Sequence, residues 1–186
     1  MLLNGVRNAA IARKQGGGTK EMEQTMAVSL RESLQEVSDP KNLDSSVEEV
    51  FKMMLGLDCQ RDDGPVDLEL ESVTAVVGFG GLLSGACLFK CGSTTAIKIA
   101  ACMTGMEFTE VDDTVKDGIG EIGNMLAGAW KGKVPNLAAN CGLSIPAVIT
   151  GRDYNLHVQA PEFKLVHAYR FDGGSFEVTI ICDGLQ

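Results

Sequence analysis

The sequence predicts an α+β fold: a pseudo-twofold repeat of α-β-β units, with one mainly antiparallel sheet and two long helices packed on it. Three observations predict it. Apolar runs of strand length sit in pairs separated by glycine-rich or Asp-Gly turns, the signature of antiparallel hairpins. Two longer segments carry apolar residues at helical spacing along one face only. Those two segments also resemble each other in sequence, 72 residues apart.

The elements follow in chain order. Residues 1–40 read as an N-terminal extension, partly helical, because Met22, Met26, Leu30, Leu34 and Val37 recur at helical spacing. Asp39-Pro40 stops that helix, and residues 41–186 form the domain. DSSVEEVFKMMLG is predicted as its first helix, capped by Asp44 or Ser45, with Glu48 at capping-box distance from Ser45 and Gly56 at the end. Val66 to Val77 alternates as a half-buried strand, Gly78 to Gly81 turns, and LLSGACLFKC returns as its partner. A second helix begins at Ser93, with Ala96, Ile99, Ala100 and Met103 on one face. A third runs from about Asp113 to Lys131, limited by Pro135. LSIPAVITG, FKLVHAYRF and SFEVTIIC are the remaining apolar runs, the last two joined by Asp172-Gly173-Gly174, a hairpin signal.

Composition narrows the function. The chain has 186 residues, 45% of them hydrophobic, enough for one domain with a real core. Its formal charge of −9 opposes binding to nucleic acid, whose phosphates attract Lys and Arg. No run of about 18 apolar residues is present to span a bilayer. The opening MLLNGVRNAAIARKQGGG lacks the apolar run and cleavage site of an export signal, so a cytoplasmic protein with reduced thiols is expected. The six cysteines include no CxxC pair, and neither His157 nor His167 flanks one. They read as small buried hydrophobes rather than a zinc site.

The internal repeat places the chemistry. Glu49 to Gly56 (EVFKMMLG) lines up with Glu121 to Gly128 (EIGNMLAG). On a wheel of 100° per residue, Asp117, Glu121, Asn124 and Gly128 fall within about 60° of one another. Val115, Ile119, Ile122, Met125, Leu126 and Ala129 fill the core arc behind them. The first helix repeats the pattern, with Ser45, Glu49, Lys52 and Gly56 as the stripe and Val47, Val50, Met53 and Met54 behind. Gly118, Gly120, Gly123 and Gly128 each cost about 1 kcal/mol relative to alanine within a helix. Two readings explain them: cleared space for a partner lying over Glu121 and Asn124, or a close helix–helix crossing.

At Asp117-x-x-x-Glu121-x-x-Asn124-x-x-x-Gly128 the chain resembles the CheC/CheX/FliY family of chemotaxis phosphatases. The resemblance covers about residues 44–183 and includes the doubled helix and the Ser93 helix. Two-site members carry Glu-x-x-Asn on both long helices. Here Lys52 stands where the first Asn would be, so a single site is left, as in the CheX branch.

The resemblance implies a phosphatase acting on the aspartyl-phosphate of a CheY-like response-regulator receiver domain. It implies Asn124 as the residue that orients the attacking water and Glu121 as the residue that docks the receiver's lysine. A carboxamide suits the first task because its oxygen accepts from water while its NH₂ donates. No cofactor of the protein's own is implied, Mg2+ being expected from the receiver, and a homodimer is implied. The alternative reading is a non-catalytic receiver-binding or flagellar-switch-like module.

Overall fold

A computed structural model describes residues 35–62, 64–67, 71–152, 154 and 161–185. The expected helix over residues 22–37 falls largely outside the described residues; Gln35 to Val37 are helical. Residues 37–186 form one compact unit. Its helices are α1 (Pro40–Leu55), α2 (Ser93–Thr104), α3 (Asp113–Gly132) and α4 (Pro135–Asn140). Its strands are β1 (Cys59–Arg61), β2 (Ser72–Gly81), β3 (Leu83–Gly92), β4 (Cys141–Leu143), β5 (Ala147–Gly151), β6 (Phe163–Phe171) and β7 (Gly174–Leu185).

The seven strands make one antiparallel sheet in the order β1-β6-β7-β3-β2-β4, with β5 also paired to β2. The two hairpins β2–β3 and β6–β7 meet at the β3–β7 seam. Each long helix is followed by a short strand that crosses to the other half. After α1, β1 pairs with β6; after α3, β4 and β5 pair with β2. The repeated unit is therefore an α-β-β pattern with a swapped edge strand added to it. Sequence periodicity misses β1 because three residues carry no alternation to read.

The helices cover one face of this sheet. Val73, Ala75, Val77 and Phe79 of β2, Phe89 of β3 and Phe176, Val178 and Ile180 of β7 are buried beneath them. Phe51 of α1 stacks on Phe176 at 4.5 Å between ring centres, and Trp130 of α3 meets Phe79 at 5.1 Å. Asp44 ties α1 to β6: it accepts from the Tyr169 hydroxyl at 2.8 Å and lies 2.8 Å from His167 Nδ1. Burial, then the Asp44 contact, pushes the Tyr169 phenol far above its ordinary range.

Several boundaries differ from expectation. Helix α1 starts at Pro40, with Asp39 accepting from the Lys41 amide at 3.0 Å. The Asp39-Pro40 pair thus opens a helix, since proline fits the first helical position; Asp44 is spent on β6 instead. Strand β2 begins at Ser72, Val66 and Asp67 being irregular. It runs through Gly81, so Gly78 to Gly81 are strand rather than turn. There β4 approaches closely: a Cβ on Gly81, whose φ is +108°, would lie 2.5 Å from the Asn140 carbonyl oxygen. LSIPAVITG is two strands joined by a turn at Ser144–Pro146. Met53, expected in the core, is 64% exposed. Cys102 is exposed, whereas the other five cysteines are buried.

Candidate active site

Helix α3 is the platform. Asp112 caps it by accepting from the Val115 amide at 2.9 Å, and Lys131 in its last turn suits the negative end of the helix. Val115, Ile119, Ile122, Leu126 and Trp130 are fully buried and pin its inner face. The stripe is consequently turned outward: Asp117 and Glu121 are exposed and Asn124 is half-buried at its edge. Glu121 and Asn124 are three residues apart, hence about 4.5 Å along the axis and about 60° around it. Neither side chain forms a hydrogen bond or ion pair with another described residue. Two polar groups on a fixed helix thus keep their full hydrogen-bonding capacity for something else.

The glycines of α3 are occupied by the chain's own packing. A Cβ on Gly123 would lie 2.8 Å from the Ala75 Cβ of β2, so only glycine lets helix and sheet approach this closely. At Gly120 it would meet Val148 at 3.4 Å and Pro146 at 3.5 Å; at Gly118, Ala100 of α2 at 3.7 Å. The close crossing is therefore chiefly helix on strand. Gly128, with one atom at 3.9 Å, is the most open of the four.

The matching stripe on α1 is differently equipped. Glu49 accepts from Lys133 at 2.6 Å, and Lys52 pairs with Asp58 at 2.7 Å. With Ser45, Glu48, Cys59 and Gln60 these groups line an open depression of about 640 Å³. Burial pushes the Cys59 thiol there up to about 12, Glu48 adding to the shift, so it is not a nucleophile at neutral pH. Lys133 is the residue the sequence reading missed; a cation beyond a helix end carries no signal of which acid it will meet.

Among the described residues no cluster of three or more His, Cys, Asp and Glu could hold a metal ion, and no helix is long and apolar enough to cross a membrane.

Comparison with known proteins agrees with this arrangement. The family model "Chemotaxis phosphatase CheX" matches residues 73–168. The CheY-P phosphatase CheX of Thermotoga maritima is 31% identical over 115 residues, 60% of this chain and 74% of the relative. Among solved structures, the chemotaxis protein CheX from Vibrio vulnificus is similar with a TM-score of 0.67 at 20% identity, covering 79% of this chain and 96% of that one. The CheX-CheY-BeF3-Mg+2 complex from Borrelia burgdorferi aligns with a TM-score of 0.62 at 20% identity, over 77% and 97% of the two chains. The match of the family model across half the chain, with that relative, places this chain in the CheX family of chemotaxis phosphatases.

Proposed function

We propose that the protein hydrolyses the aspartyl-phosphate of a CheY-like receiver domain, with Asn124 and Glu121 reaching into the receiver's active site. The single observation that carries this reading is the pair of unengaged polar groups, one turn apart, on the outer side of a helix whose inner side is locked to the sheet. The name of the Thermotoga relative supports the substrate class.

Hydrolysis needs a water in line with the scissile bond and neutralisation of charge on the phosphoryl oxygens. Mg2+ held by the receiver, together with the receiver's lysine, serves the second need. Asn124 serves the first: its carboxamide oxygen accepts from the water while the NH₂ donates. It orients the nucleophile and takes no proton, since an amide is a poor base. Glu121 pairs with the receiver's lysine in a short charge-assisted contact that sets the register of the helix across the site. Positioning of this kind is worth about 10²–10³-fold in rate. The protein acts in the cytoplasm, where receivers are, and as a homodimer.

Mixing the protein with a phosphorylated receiver and timing loss of the phosphoryl group tests the reading. Accelerated loss, depending on Mg2+, is the expected result. A receiver that binds yet keeps its phosphoryl lifetime would leave a docking module and overturn the enzyme reading of this site.

A further inference from the structure

The turn joining β4 to β5 carries a feature the fold itself does not use. Ile145 is 89% exposed, the most exposed of the large apolar side chains among the described residues. A single exposed apolar residue is ordinary on a protein surface, but this one sits on an immobilised turn. The Ser144 amide donates to the Gly78 carbonyl at 2.9 Å, and its hydroxyl accepts from the Gly78 amide at 2.9 Å. The same hydroxyl donates to the Ile145 carbonyl at 2.9 Å. On the other side, Pro146 packs on Gly120 of α3, the residue directly before Glu121. Turn positions favour Gly, Asn, Asp or Ser, so a rigid turn offering isoleucine to water has no local reason for that choice.

What borders it supplies the reason. Leu143 lies against Gly128 and Pro146 against Gly120, so this segment runs beside α3 along the Asn124 edge of the polar stripe. The occupant of that stripe must pass over the turn. We propose that Ile145 is an apolar anchor for the partner that docks on Glu121 and Asn124, seated against an apolar patch on the receiver beside its phosphorylated aspartate. This rests on the function proposed above and adds a specificity determinant to it. The unpaired carboxylates of Asp117 and Glu121 select a partner with a cation near its phosphoryl group, and Ile145 selects one with an apolar surface next to that cation. Apolar anchors ringed by polar contacts carry much of the affinity in such interfaces.

The test compares Ile145→Ser with wild type, using a phosphorylated receiver domain as the probe. The expected result is KM raised about tenfold or more with kcat unchanged, as for an anchor that contributes equally in ground and transition states. Ile145→Leu is expected to restore wild-type KM. Ile149→Ser is the control, because Val148 faces α3 and the alternation of the strand turns Ile149 to the opposite side of the sheet. An unchanged KM in Ile145→Ser overturns the proposal. If wild type binds the phospho-receiver without hydrolysing it, the enzyme reading fails separately. The ratio of receiver Kd values for Ile145→Ser and wild type then decides the anchor.

Discussion

Lys133 donates to Glu49 at 2.6 Å and so occupies the one carboxylate that corresponds, 72 residues earlier, to Glu121. The two long helices present the same polar stripe with opposite availability. On α3 the acid and amide are unengaged by the described residues; on α1 the acid is bound by Lys133 and the amide position holds Lys52, itself paired with Asp58. The asymmetry is built from side-chain chemistry on a symmetric backbone.

The α1 stripe is therefore inactive for two reasons. Lys52→Asn alone is expected to leave turnover per chain unchanged, because Glu49 is still held by Lys133. Phosphatase rates of the single variant against wild type check this; a doubled rate per chain would show the Lys133 contact to be no barrier. Lys133→Ala is expected to alter stability by less than about 1 kcal/mol, both partners being substantially exposed. Urea denaturation measures that directly.

Gly123 is predicted to be the glycine of α3 that tolerates substitution least. Alanine improves helix propensity by about 1 kcal/mol. Its methyl would stand 2.8 Å from that of Ala75, however, and overpacking of this kind costs about 1–3 kcal/mol. Gly123→Ala is expected to be net destabilising by about 1–2 kcal/mol, read as a lower thermal midpoint, and Gly128→Ala neutral or stabilising. A stabilised Gly123→Ala would mean that helix and sheet separate without cost.

Stability is predicted to fall in alkali. Burial pushes the Cys59 and Cys87 thiols up to about 12 and the Cys182 thiol up to about 11, against an ordinary value of 9.0. The folded state holds protons that the unfolded chain releases above about pH 9. The contribution of these thiols is complete below that pH and is lost as pH rises through 11 to 12. Denaturation midpoints from pH 8 to 11 should decline, and serine at Cys59 should flatten the slope. At neutral pH a thiol reagent should modify Cys102 rapidly and the other five slowly.

Much of this was legible in the sequence, for identifiable reasons. FKLVHAYRF coincides with β6 because its ends are marked by Pro161 and by Asp172-Gly173. The boundaries of α3 could be read because Asp112 and Asp113 open it and the apolar period is unbroken to Trp130. The outward placement of Glu121 and Asn124 followed from that same period. What could not be read depends on distant partners. Gly78 to Gly81 resemble a turn locally, yet they serve the close approach of β4, more than 55 residues later. Lys133 shows no preference for Glu49 until α1 and α3 are side by side. Pro146 was the one neglected signal, since proline inside an apolar run argues against a continuous strand.

The most direct test is the dephosphorylation rate of a phospho-receiver with Asn124→Ala, alongside its circular dichroism and its affinity for the receiver. The account predicts a rate lower by about 10²-fold or more, with fold and binding retained. A variant that turns over at the wild-type rate would contradict it, because the water would then be held by some other group.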